Sequence, residues 1–298
     1  MQASRFLQQL NPVAAVLRLL PAYGRLLMLG VAALLTVAVL AVFNSPLTIL
    51  EERVGAQGWL LSADQTPEER ITIVAIDEQS LAEVGPWPWE RRDMARLVNA
   101  LNAYGVQLQI HDISYPEARE GDDELLAALQ ASRGAVIAQA PALQSSQQVQ
   151  TGLMTHPVNG VACESAAQAT SFVASHQGFA SVAKGHIAPF VDSDGAIRKV
   201  PALVCVNGQA YPALAISALL QATGSAWNVS VGSGSGLFGP EQVLRLDAYP
   251  GLGIPLDNEG NLRISYQELP ENFTAVSAAD VMAGRVDARL LENAWVLV

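Results

Sequence analysis

The first fifty residues contain no aspartate, glutamate or lysine, only the three arginines Arg5, Arg18 and Arg25. All 28 acidic residues of the 298-residue chain therefore fall in the remainder, where they face 14 basic ones and leave a net charge of −14. A body that acidic repels phosphate backbones, so nucleic-acid binding is excluded as a role. Charged residues are scarce overall, at 15 %, against 50 % hydrophobic ones, which excludes a disordered chain. The four histidines, His111, His156, His176 and His186, have no paired metal-ligand spacing. There is no Gly-x-Ser-x-Gly elbow and no repeat of fixed period. No metal, no cofactor and no hydrolase chemistry are expected on these grounds. The two cysteines, Cys163 and Cys205, fit no zinc pattern.

One long apolar run is present. Leu26 to Phe43 carries no charge over 18 residues, the lower bound for crossing a hydrocarbon core of about 30 Å. A buried core helix would normally show a polar face. A cleaved leader has a shorter apolar stretch that starts earlier. The reading is an uncleaved transmembrane helix over 25–43. Arg25, Arg18 and Arg5 precede it, which places residues 1–24 in the cytoplasm and residues 44–298 outside. The semi-apolar residues 5–20 would lie along the inner membrane face, with Pro12 and Pro21 limiting any helix. Outside the cytoplasm Cys163 and Cys205 can form a disulfide worth on the order of 3–4 kcal/mol, if geometry permits.

The body opens as α/β. Ile71 to Ile76 reads as a buried strand, and Asp77 caps a short helical turn after it. Gly85-Pro86-Trp87-Pro88-Trp89 stops that turn. Glu90 to Tyr104 has Met94, Leu97, Val98, Leu101 and Tyr104 on one helical face, and Gly105 ends it. Val106 to Ile113 is the next strand, expected to lie parallel and adjacent to the first. A helix over Asp122 to Ala131 and a strand over Ala135 to Ala138 follow. Residues 141–170 read as a loop-heavy insertion. A hairpin is expected about Asn207-Gly208, a helix over Ala213 to Ala222, a flexible Gly-Ser loop over Ser230 to Gly239, and a strand pair flanking Asn258 to Asn261. Ser277-Ala278-Ala279-Asp280 resembles a capping box. Trp295 to Val298 begins an apolar strand at which the chain stops, so a truncated sensor is expected. The fold class is α/β with an α+β insertion: a parallel or mixed sheet and a β-hairpin-rich middle.

Several of these segments together resemble a known family. They are Ile73-Val74-Ala75-Ile76-Asp77, Ser80-Leu81, the Trp87-Pro88-Trp89 block with Arg91, Val106 to Ile113, Asp192-Ser193-Asp194-Gly195 with Arg198, Val276 to Val281, Gly284-Arg285, and Leu290-Leu291 through Val298. The chain is similar to the second type of cyclase/histidine-kinase-associated sensory extracellular (CHASE) domain. That resemblance implies a bacterial inner-membrane receptor. Its sensor follows one N-terminal membrane helix and sits in the periplasm or outside the cell. Further membrane helices and a cyclase, kinase or diguanylate cyclase output follow in relatives. It also implies a homodimer. His111 stands where relatives more often carry an apolar residue. The chain itself would be a sensor of an unknown small ligand or envelope protein, without enzymatic activity.

The candidate ligand-binding residues are Asp77, Trp87, Trp89, Arg91 and Asp112. Both aspartates end parallel strands, the edge at which open α/β sheets bind ligands; Arg91 would neutralise one of them and the tryptophans would wall the pocket. The other reading is structural: Asp77 a cap, Asp112 a strand end, the tryptophans core. Asp192-Ser193-Asp194-Gly195 imitates a calcium loop but has Ala196 and Leu203 where ligands belong, so it reads as a turn. Gly234 to Gly239 matches a dinucleotide fingerprint formally, yet Pro240 follows at once and no helix opens. An anchored solute-binding protein or enzyme on the same scaffold is the alternative function.

Overall fold

The structure, a computed structural model, describes residues 24–39, 68–143, 148–163, 166–192, 194–224, 226–234, 239–266 and 270–298. The chain divides into two units, Met1–Ala63 and Asp64–Val298. In the first, residues 24–39 are helical, with Leu26, Leu27, Leu34 and Val37 exposed. The expected span 25–43 runs past the described residues, and the expected surface segment 5–20 lies outside them. Among the described residues no helix is long and apolar enough to cross a membrane.

The second unit is built on a parallel sheet. Strand β1 (Glu68–Ala75) leads through helix α1 (Glu78–Glu83) to helix α2 (Arg91–Ala103). On α2, Met94, Leu97, Val98 and Leu101 fall at helical spacing and are all buried, as their periodicity requires. Strand β2 (Leu108–His111), helix α3 (Asp122–Gln130) and strand β3 (Ala135–Ala142) follow. Two late strands, β16 (Phe273–Ser277) and β17 (Trp295–Leu297), return to this sheet, as does β7 (Ala183–His186). The order is β16-β1-β17-β2-β3-β7, with every neighbouring pair parallel. Strand β6 (Ser171–Val173) pairs antiparallel with the end of β3, and β4 (Gln150–Thr151) lies parallel to β6.

One expectation is corrected here: β1 and β2 are not adjacent, because β17 lies between them. Trp-Val-Leu-Val is apolar on both faces, and only a central position covers both. Val74, Ile137 and Val296 face a core shared with α2 and α3. Leu108, Val136 and Ala183 face the opposite side, where Ala218 of α4 (Leu214–Thr223) packs. Gly185 makes that approach possible. A Cβ there would stand 2.5 Å from both Leu214 Cα and Ser217 Oγ.

The middle carries three small sheets. Strands β10 (Leu203–Val206) and β11 (Gln209–Pro212) form the expected hairpin, turning on Asn207 (φ 50°) and Gly208 (φ 79°). Strand β5 (Ala167–Gln168) completes that sheet. The expected Gly-Ser loop is in part ordered: Val229–Ser233 is strand β12, paired with β13 (Gln242–Leu246), while 235–238 lie outside the described residues. The strands flanking Asn258 to Asn261 do not pair with each other. Strand β14 (Tyr249–Leu256) joins β13, and β15 (Asn261–Arg263) joins β9 (Ile197–Pro201), which also pairs with β8 (Phe190–Val191). Asp257 holds the turn between them by accepting from the Glu259 and Asn261 amides. Cys163 and Cys205 are disulfide-bonded, their Cα atoms 5.3 Å apart, tying the insertion to β10.

Candidate functional site

Asp77 sits at the end of β1 and caps α1. Its Oδ1 accepts from the Ser80 amide at 2.8 Å and from Ser277 Oγ at 2.9 Å. Ser80 Oγ lies 2.9 Å from Ser277 Oγ and accepts from the Ala279 amide. Hydrogen bonding from Ser80 first, then from Ser277, holds the Asp77 carboxyl below its ordinary range. The expected capping box at Ser277 is therefore absent, since its hydroxyl serves Asp77 instead of capping its own helix, α5 (Ala278–Met282). Asp112 follows β2, two strands from β1. Its amide donates to the Val298 carbonyl, its side chain is exposed, and partial desolvation pushes its carboxyl up. Strand β17 lies between the strands that carry the two aspartates, and neither residue lines either of the clefts described below.

Arg91 neutralises neither of them. As the first residue of α2 it faces the start of α3, where Nε donates to Asp122 Oδ1 at 2.8 Å and Nη2 to the Glu117 carbonyl at 3.1 Å. Its guanidinium stacks 4.5 Å from the centre of the Tyr115 ring. Trp89 is buried and donates to the Gly85 carbonyl, whereas Trp87 is 47 % exposed and meets Trp89 edge-on. Of the five expected residues, the structure brings together Trp89 and Arg91. They line a cleft of about 200 Å³ with Glu90 and Pro88.

A larger cleft of about 460 Å³ adjoins it, and Arg92, Arg119 and Glu120 border both. Asp122, His176 and Phe179 line the larger one. Asp122 is the pivot: it pairs with Arg91 through Oδ1, accepts the Arg119 amide through Oδ2 at 2.7 Å, and has His176 Nε2 2.9 Å from Oδ2. His176 Nδ1 accepts from the Gly178 amide, which leaves the ring proton on Nε2, facing the carboxylate but off the line of a hydrogen bond. The volume is that of a small-molecule site, and its lining is mostly charged, with Leu126 and Phe179 the apolar side chains. Among the residues that line it there is no Ser, Thr, Cys or Lys. Among the described residues no group of His, Cys, Asp or Glu could hold a metal. Asp192 and Asp194 are both spanned by Arg198, which makes them a turn.

The model of the CHASE2 domain family matches residues 32–298. The chain belongs to the CHASE2 domain family. CHASE2 domains are extracellular sensory domains. No curated protein and no solved structure matches the chain.

In this CHASE2 domain the segments that carry the family likeness build the scaffold around the clefts. Arg285 joins Glu83 of α1 at 2.7 Å to Asp280 of α5 at 2.6 Å, and Gln79 also donates to Asp280. The sequence reading missed Asp122 and His176. Asp122 was legible only as a helix start, and His176 reaches it from a distant loop. It also missed a row of buried polar residues on one face of the sheet: Gln109 and His111 on β2, Gln139 on β3, Lys184 and His186 on β7. Burial pushes the His111 pKa down to about 4, that of His186 to about 3 and that of Lys184 to about 8. Polar residues alternating with small ones in Ala183-Lys184-Gly185-His186 were the available signal.

Proposed function

We propose that this chain is the sensory portion of a bacterial inner-membrane receptor, and that it binds a small ligand in the cleft bordered by Asp122, His176 and Arg92. The family match over residues 32–298 carries this reading. The apolar stretch 25–43, helical over the part of it that is described, anchors the protein, with the N-terminal segment in the cytoplasm and the CHASE2 domain outside. A cyclase or kinase output, reached through the membrane and working as a homodimer, completes the receptor. Ligand binding signals only if it favours one of two arrangements of the domain. Asp122 suits that task, because one carboxylate joins α2, α3 and the His176 loop, so a ligand that competes for it alters all three. The compartment is tested by fusing alkaline phosphatase, active only outside the cytoplasm, to Val298 of the full chain in a bacterial host. An active fusion is expected. An inactive fusion, with a fluorescent protein at the same position bright, overturns the proposal.

A further inference from the structure

Lys184 and His186 stand two residues apart on β7, so both project from one face of the sheet, opposite the face on which Gly185 meets α4. They are 0 % and 1 % exposed. The Lys184 ammonium has three donors and one acceptor, the Leu153 carbonyl at 3.4 Å; no carboxylate pairs with it among the described residues. His186 Nδ1 accepts from the Ala188 amide at 3.3 Å, which puts the ring proton on Nε2, and that N–H has no partner among the described residues. A buried cation and a buried N–H thus occupy same-face positions of one strand, the first held only by a 3.4 Å bond and the second without a partner among the described residues. Buried charges are ordinarily paired and buried donors satisfied, so such a pair calls for an acceptor that the chain does not supply.

The segment beside them meets the sheet's side chains only through long bonds, although the Leu153 amide donates to the Ser175 carbonyl at 2.9 Å and Met154 is buried. Residues 152–156 run between two left-handed positions, Gly152 (φ 77°) and His156 (φ 62°). Their bonds to sheet side chains are all long: Thr155 exchanges bonds of 3.3 and 3.4 Å with the Gln139 amide, and Leu153 receives the 3.4 Å bond from Lys184. Gln139 neighbours His186 in the strand register, so the same strap covers both groups.

We propose that Lys184 and His186 form an internal receptor for a small monovalent anion that accepts hydrogen bonds, held beneath the 152–156 strap. Neither Lys184, His186 nor the strap lines the Asp122 cleft, and the proposal does not depend on the sensory reading. A −1 charge matches the single ammonium, and an acceptor that takes donors from two directions matches Nζ and Nε2 together.

The test is a melting series on the purified full chain at pH 7 and constant ionic strength, with sodium gluconate replaced stepwise by formate, acetate or chloride. A saturable rise of about 2–4 °C is expected with at least one small anion, and none in Lys184→Met. Formate and acetate acting without chloride identify a carboxylate site; chloride acting as well identifies a general anion site, and both support the proposal. Identical melting in all four salts for folded wild type overturns it, as does an equal rise in Lys184→Met. Should Lys184→Met not fold, His186→Phe is read in its place, and an undiminished rise there also overturns the proposal.

Discussion

The two ends of the parallel sheet treat polar groups in opposite ways. At the β1 end, Asp77, Ser80, Ser277 and the Ala279 amide satisfy one another within 3.0 Å. At the β7 end, Lys184, His186 and, one strand further on from β3, His111 are as deeply buried as Ser80 yet, among the described residues, keep ring or ammonium atoms unpaired or held only at 3.4 Å. A closed network rigidifies and offers a ligand nothing. An open one costs stability until something else completes it. The aspartate that drew attention in the sequence caps α1 and ties it to β16 through Oδ1, while buried polar groups with unused capacity lie at the other end.

This contrast can be broken experimentally. The largest effect is expected at Asp122, whose removal strands the buried Arg91, 6 % exposed. Asp122→Ala should cost about 3–5 kcal/mol, read as a lowered urea midpoint at unchanged slope, and a loss under 1 kcal/mol would mean that Arg91 finds another partner. Next comes acid. His111 is neutral in the folded state down to about pH 4, while in the unfolded chain it takes up a proton near 6.5, so stability falls as pH drops between those values. The loss from this group reaches about 3 kcal/mol, and His111→Leu should make that limb of the stability curve shallower, leaving the share of His186. The smallest effects give the sharpest contrast. Asp77→Ala should cost about 1–2 kcal/mol through a lost cap and a lost Ser277 bond. Lys184→Met, measured in gluconate, should cost nothing or stabilise, because it removes an uncompensated charge of similar shape. Equal losses at the two positions would dissolve the comparison.

Much of the scaffold was legible. Leu97, Val98 and Leu101 announced α2, and Asn207-Gly208 announced the β10–β11 turn, because helix periodicity and left-handed turn residues are local signals. Strand β17 was legible as a strand but not as the one between β1 and β2, since wholly apolar character says that a strand is central without saying whom it joins. The partners of the candidate site residues were illegible for the same reason. Arg91 was expected to serve Asp77 or Asp112, but the docking of α3 against α2 gave it Asp122. His176 and the Lys184 row come together only through parallel pairings among strands far apart in sequence. Residue types near a strand end show where polar chemistry can lie, whereas tertiary packing decides which groups are left with capacity to bind.

The most direct test of the sensory account is a melting-temperature screen of the full chain against small metabolites, wild type beside Asp122→Asn. The account predicts at least one compound that raises the wild-type melting temperature in proportion to its excess over Kd and leaves Asp122→Asn unmoved. Compounds that stabilise both proteins equally, or a panel that shifts neither, would contradict a ligand site at the Asp122 cleft.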